Sequence, residues 1–504
     1  MIEWARSKIL VLQADIQYAY MNRTVISGKS AILGVSILLF LYICFRASML
    51  SFTHDEGFTY SKYVHYSYSE ILQYKTDNIA PNNQVLNTFS QKFFSGMFGT
   101  SEFVLRLGSI LSFALFLITL YTFARHFFQS FALPGFLVVV LHPYVLDFMV
   151  LSRGYGMALT GMLLSILGVV SGISNQFKTK YYLIALASGI LAVLANYSLL
   201  NFFLINSVLF LAFQIFLGLT RGHITSHRLI ITNIFSFVGS LILLGSLIYA
   251  PLKLILERHL LMGGESGFWA DTVGSLCHNL AYGMRYQHIW EIILKALVIT
   301  IPLLATLRVS TILKKESRNS TDTILVFLYL LNAGLVSATL IQHYILGSVF
   351  PMDRMAISFV LAFLLLVVIT LVSHCQENNR LASLFRISLY SITCLFALHM
   401  LMCSNLSYSL EWKYDANTKE IAKDIEHLEG EVQLGVHPLY VHGLNFYRQT
   451  KHLTKFPDIH SDGYRLKGDY NYFVIASVDR HKIEAEGLTI LKEYSPGGAI
   501  LAKK

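Results

Sequence analysis

Asp55 and Glu56 stand side by side directly after the first long apolar run of the chain, with His54 before them and Gly57 after. A carboxylate partly withdrawn from water has a raised pKa and becomes competent as a general base. Asp and Glu also favour the first turn of a helix, so the pair reads as well as an N-terminal cap for a helix over residues 57–74. His54 adds a metal-ligating side chain, but one histidine beside two acids is weak ligand spacing. Arg106, Arg153, Arg285 and Arg354 fall at the ends of apolar runs or in the loops between them. A guanidinium there either snorkels to lipid headgroups or holds a phosphate through paired hydrogen bonds. Several arginines on the same face as an acidic pair favour a phosphate-bearing lipid substrate.

The elements that must position these groups are membrane spans. Of the 504 residues, 54% are hydrophobic and only 14% charged, against about a quarter charged in an ordinary soluble domain. That excludes a soluble multidomain enzyme. Uncharged runs at 181–220 and 355–373 reach or exceed the roughly 18–20 residues that cross hydrocarbon. The pattern predicts about eleven spans: 30–50, 107–124, 131–151, 154–173, 181–195, 199–219, 229–252, 292–307, 323–341, 355–373 and 387–403. Asn196-Tyr197-Ser198 is the natural hairpin inside the run from 181, and His142-Pro143 and Asp147 interrupt the span at 131–151. Two long loops, 51–106 and 251–290, then share one face. Within the first, Tyr60, Tyr63, Tyr66, Ile71 and Leu72, then Val85, Leu86, Phe89, Phe93 and Met97, suggest two amphipathic helices lying in the interface. Their role is either lipid contact or lining a substrate groove.

Charge orients the chain. With the N-terminus in the cytoplasm, that side collects fifteen Lys and Arg against five acids, the positive-inside pattern. An odd span count puts the C-terminal tail outside. The net charge of +9 is mostly this topological signal and gives no reason to expect a nucleic-acid partner. Residues 405–504 hold 13 Lys and Arg with 14 Asp and Glu, a soluble-protein density, so the chain divides into a membrane domain, 1–404, and a water-facing domain, 405–504. A helix over 417–429 and strands at 431–436, 472–476, 488–491 and 499–502 predict a small α/β fold there. His437, Tyr440, His442 and Tyr447 cluster between its elements and form either a polar acceptor pocket or ordinary fold surface. The five cysteines show neither CxxC spacing nor a disulfide framework.

The order of motifs resembles the GT-C membrane glycosyltransferases, in the branch of protein O-mannosyltransferases and lipid A aminoarabinose transferases. Asp55-Glu56 follows span one and opens a long outer loop. That loop closes on Phe98-Gly99-Thr100-Ser101-Glu102-Phe103-Val104-Leu105-Arg106-Leu107, similar to the family's F-G-x-x-E-x-x-x-R-L. His142-Pro143 followed by Ser152-Arg153-Gly154-Tyr155 resembles its N-P and A-R-x-Y, and Pro351-Met352-Asp353-Arg354 resembles its late P-x-x-R. Many relatives carry Pro-Pro where this chain has Pro81-Asn82.

The resemblance implies a GT-C-like polytopic α-helical fold and an integral protein of the plasma, in bacteria inner, membrane with a periplasmic tail. It implies inverting transfer of a sugar from a polyprenyl-phosphate donor to a lipid, glycan or protein acceptor outside the membrane. Asp55 would take the acceptor proton, with Glu56 orienting it or the acceptor. Arg354, with Arg153 or Arg106, would neutralise the leaving phosphate. Tyr155, Glu102 and His54 complete the implied substrate-binding set. Family members differ in metal dependence, and neither metal nor cofactor is assigned. The rival reading is a transporter or flippase for lipid-linked glycans. Common transporter folds carry internal repeats and broken helices around midplane charges, whereas the charges here gather at one face and no matching halves are evident.

Overall fold

The computed structural model describes residues 28–75, 83–221, 226–257, 262–314, 319–377, 380–459 and 470–504. The polar N-terminal stretch before Gly28, Pro81-Asn82, and Lys315 and Arg318 of the orienting charges lie outside these.

Apolar composition makes most of the chain helical. The first long helix, α1, is Gly28–Met49. Thr53 then begins a capping box: its hydroxyl accepts from the Glu56 amide while the Glu56 carboxylate accepts from Thr53 N, starting α2 at His54–Tyr63. Residues 57–74 are therefore not one helix. Ser67 and Glu70 form a second capping box and start α3, Tyr68–Gln73. Next come α4, Val85–Phe98, and the single turn α5, Glu102–Leu105.

Leu107–Val140 is one continuous apolar stretch of 34 residues, but it does not run straight. The chain climbs through α6, Leu107–Phe123, turns over Ala124–Phe131, and descends as α7, Ala132–Val140. It breaks at His142-Pro143, where proline cannot continue the hydrogen-bond ladder, and finishes as α8, Pro143–Val150. The Ser109 hydroxyl donates to Leu151 O at 2.8 Å, which closes the excursion at the level where it began. The expected spans 107–124 and 131–151 are thus two crossings, the second of them broken.

The remaining membrane helices are α9, Tyr155–Ser174; α10, Thr179–Ala195; α11, Leu200–Arg221; α12, His227–Glu257; and, after the short α13 at Gly274–Leu280, α14, Gln287–Leu313; α15, Ser320–Leu346; α16, Ile357–Cys375; and α17, Ala382–Cys403. Among the described residues, nine helical stretches are long and apolar enough to cross a bilayer, and α10 is a shorter tenth. With α7 and α8 counted as the return leg, the arrangement accommodates eleven passes. The protein is a polytopic helical membrane protein. Buried α16 and α9 sit at its centre, while α1, α12, α14 and α17 expose leucine, isoleucine and phenylalanine outward.

After α17 the chain forms a small α/β unit: α18, Thr418–Glu426; β1, Leu434–Val436; α19, Pro438–Thr450; β2, Tyr472–Ile475; α20, His481–Ala485; β3, Thr489–Glu493; β4, Ile500–Lys503. The sheet order is β1-β2-β4-β3. β1 and β2 pair in parallel across α19, and the other neighbours are antiparallel. α19 packs on α2, joining this unit to the first loop. A Cβ on Gly57 would lie 2.6 Å from the carbonyl oxygen of His442, so only glycine permits that approach.

Candidate active site

The acidic pair divides at once into two roles. Glu56 is fully buried. Its Oε1 accepts from Arg106 Nε at 2.9 Å and from Ser152 N at 2.7 Å; its Oε2 accepts from Arg106 Nη2 at 2.6 Å and from Thr53 N at 3.0 Å. Arg106, equally buried, also donates to the carbonyls of Ala47, Leu50 and Ser51. This pair clamps the end of α1, the start of α2 and the link between α8 and α9. Its donors and acceptors are filled by the protein itself. Glu102, expected with the substrate groups, instead pairs with Lys419 at 2.7 Å and ties α18 to the loop.

Asp55 points the other way. Its Oδ2 lies 3.3 Å from Arg153 Nη2 and 3.5 Å from Arg354 Nη2. Arg153 owes its place to the link that Glu56 holds: Ser152 is bonded to Glu56 and, through its carbonyl, to Asn87 Nδ2. Gly154 follows at φ 73°, where a Cβ would lie 2.4 Å from Ala195 O. Arg153 also donates to Asp55 O and to the Thr59 hydroxyl. Arg354 sits one residue after Asp353, a non-glycine residue at φ 51°. Such strain persists where the surroundings impose it. Here the Asp353 amide donates to Ser275 Oγ and Asn279 Nδ2 donates to Asp353 Oδ1, both from α13.

The chain of charges continues into a segment that sequence reasoning had placed in a separate domain. Arg354 Nη1 donates to Glu411 Oε2 at 2.7 Å and its guanidinium lies 4.9 Å from the centre of the Trp412 ring. The Tyr144 hydroxyl donates to the other Glu411 oxygen. Asp415, wholly buried, accepts from the His54 amide at 2.7 Å and from the Thr418 hydroxyl. Burial, with Asp55 and Glu56 nearby, pushes the Asp415 carboxyl well above the usual range. Burial likewise raises Glu411 against the pull of Arg354 and Tyr144. The His54 imidazole faces Leu439 O at 3.0 Å and meets the His442 ring edge-on, with centroids 4.8 Å apart. Burial lowers both histidines, His442 to about 4, which keeps them neutral at ordinary pH. Tyr155, at the start of α9, packs on Phe148 and lies within electrostatic reach of Arg354, Arg153, Glu411 and Asp55.

The structure therefore brings together Asp55, Arg153, Arg354, Tyr155 and His54. Glu56 and Arg106 are bonded to each other and Glu102 to Lys419 around them, and Arg285 is exposed. Glu411, Trp412, Asp415 and Tyr144 join from positions where no motif marks them. The one sequence signal is an acid and a tryptophan, Glu411-Trp412, eight residues after the last span ends at Cys403. Among the described residues no group of three or more His, Cys, Asp or Glu is arranged to hold a metal.

On the other side of α13 from Asp353 lies an apolar cavity of about 420 Å³, lined among others by Leu276, Cys277, Leu294, Phe359, Leu364 and Phe396. Leu276 and Cys277 belong to α13, the helix whose Ser275 and Asn279 hold Asp353. One short helix thus stands between an oily space within the bundle and the arginine of the polar cluster.

No family model and no curated protein matches this sequence. Two similar solved structures are crystal structures of ArnT from Cupriavidus metallidurans, one bound to undecaprenyl phosphate and one in the apo state. They share 12% and 11% identity with this chain, cover 94% of it and 97% and 98% of their own chains, and both have a TM-score of 0.49. A likeness this distant carries no weight for the chemistry, which rests on the side chains.

Proposed function

We propose that the protein is a membrane glycosyltransferase that moves a sugar from a polyprenyl-phosphate donor to an acceptor hydroxyl or similar group, with Asp55 as general base. The observation that carries this is the line Arg153–Asp55–Arg354, held at 3.3 and 3.5 Å, with an apolar cavity one short helix away. A base, a pair of cations and a space for hydrocarbon are what a phosphate-linked lipid sugar requires. Asp55 and Arg354 are also the partly open members of the line, with side chains 12% and 34% exposed.

In this reading the acceptor oxygen attacks the anomeric carbon from the face opposite the phosphate, giving inversion. Its proton passes to an Asp55 oxygen. The bond from the anomeric carbon to the phosphate oxygen breaks, and the electron pair leaves with the phosphate. That group needs neutralisation rather than protonation, and Arg354 and Arg153 supply it from fixed positions. Neutral His54 and His442 line the side on which α19 covers α2. In the same reading this face lies outside the membrane and the N-terminus in the cytoplasm, which the basic loops support.

The test is sugar transfer by purified protein in detergent, wild type against Asp55→Asn, with labelled polyprenyl-phosphate sugars and a panel of acceptors. Asparagine keeps the shape and cannot accept the proton, so turnover is expected to fall at least about a hundredfold. Near-equal turnover overturns the role of Asp55. A wild type that releases no polyprenyl phosphate from any donor moves the assignment to transport of lipid-linked glycans.

A further inference from the structure

The segment from Asn405 to Asn417 is laced into the membrane helices rather than hanging from them. Arg46 of α1 donates to Tyr408 O at 2.6 Å, and the Leu410 amide donates to Asp147 of α8 at 2.7 Å. Asp147 is itself paired with Arg46 at 2.7 Å and accepts from the Tyr282 hydroxyl. The Ser51 hydroxyl donates to Ala416 O at 2.8 Å. With both flanks fixed, Glu411 and Trp412 are delivered to one place: the carboxylate on Arg354 Nη1 and the indole beneath the guanidinium. The 2.7 Å contact to Glu411 is the closer of Arg354's two anionic contacts, Asp55 lying at 3.5 Å.

We propose that Glu411 is a positioning residue that stands in for the donor phosphate: it holds Arg354 oriented in the unloaded protein and gives up that guanidinium edge when a phosphate arrives. This rests on the donor chemistry proposed above. A carboxylate and a phosphate oxygen compete for the same N–H fork of arginine. The Trp412 face keeps the guanidinium plane in register, so the exchange needs no swing of Arg354. The charged and titratable groups around Glu411 are Arg354 and Asp353 from the turn before α16, Tyr144 from α8 and Tyr155 from α9. Once the phosphate takes that edge of the Arg354 guanidinium, Glu411 is left buried beside Tyr144 and the Asp353 carboxylate. A buried carboxylate in that position takes up a proton. Donor binding is therefore linked to uptake of about one proton, and it weakens as pH rises through the Glu411 titration.

The experiment titrates undecaprenyl phosphate, and separately inorganic phosphate, into the purified full chain in detergent. It reads calorimetry in buffers of different ionisation enthalpy and tryptophan fluorescence, since Trp412 lies under the exchanging group. Glu411→Gln is expected to bind undecaprenyl phosphate about tenfold tighter and to lose the proton uptake. Glu411→Asp, which draws the carboxylate back by one methylene, should bind a few-fold tighter and keep the uptake. It covers the case in which the glutamine variant does not fold. Inorganic phosphate should show the same Glu411 dependence at lower affinity. Equal or weaker lipid binding by the Glu411 variants, or unchanged proton uptake in Glu411→Gln, overturns the exchange and leaves the donor reading standing. Binding of inorganic phosphate alone overturns the lipid as its source. Failure of wild type and variants to bind either probe overturns both readings.

Discussion

Asp55 and Glu56 are adjacent carboxylates with opposite fates, and the difference lies in who their partners are. Glu56 fills both oxygens with a buried arginine and backbone amides, whereas Asp55 is flanked by arginines at longer range and keeps a margin of exposure. Breaking a buried ion pair by removing one charge costs about 3–5 kcal/mol. Glu56→Gln is therefore expected to lower the detergent melting temperature sharply, whereas Asp55→Asn leaves it near wild type. Comparable melting of the two variants would contradict the division. Asp415 supplies a pH prediction. Its folded carboxyl is raised, so its contribution to stability is complete below the ordinary carboxylate pKa of about 4 and is lost as pH rises through the raised value. Asparagine can still accept from the His54 amide and donate to the Thr418 hydroxyl. Asp415→Asn should thus flatten the rise-of-pH loss in melting temperature and be no less stable near neutrality. A mutant curve parallel to wild type would show that Asp415 is charged in both states.

Among the elements, α2 is the hinge of the arrangement. Its capping box places Glu56 inward, its first turn carries Asp55, and its glycine face receives α19. Gly57→Ala tests that docking because two effects oppose each other. On an uncovered helix, alanine gains roughly 1 kcal/mol over glycine. Here the added methyl would meet the His442 backbone, and overpacking of this kind costs about 1–3 kcal/mol. The expected result is a lower melting temperature and faster limited proteolysis of the 405–504 unit. A stabilised variant would show that α19 does not close on α2. The α5 turn and α18 add a second tether through Glu102 and Lys419, but Lys419 is about half exposed and such a pair contributes little.

For the whole molecule, the described residues of the unit after Asn405 and of the 51–106 loop pack together on one end of the bundle. Both must therefore lie on the same side of the membrane, and we propose from the basic loops at the opposite end that this side is outside. Val478 is 70% exposed. Val478→Cys in intact cells is expected to react with a membrane-impermeant maleimide as fully as after lysis. Labelling only after lysis would reverse the orientation. This packing also changes the meaning of the expected boundary. Residue 405 marks a change in composition, yet the site runs straight across it, from Arg354 to Glu411 and from His54 to Asp415.

Hydropathy is a local property of a chain, and what depends on it was legible in the sequence. The spans, the broken one at His142-Pro143, the one-sided loops and the four strands of the tail each follow from residues close in sequence. Asp55, Arg153 and Arg354 were legible as candidates for the same reason, as charges set at the ends of apolar runs. The split at Ser67 could have been read from its capping box, since Ser67 and Glu70 are three residues apart. The roles of the charges could not be read in that way. Asp55 meets Arg354 only after some three hundred residues have been packed, and Glu56 differs from Asp55 only through Arg106 and Ser152, which the fold brings to it. Side-chain chemistry named the groups able to act. Tertiary packing decided which carboxylate is buried in the scaffold and which is left between two arginines, because burial and pairing are set by neighbours distant along the chain.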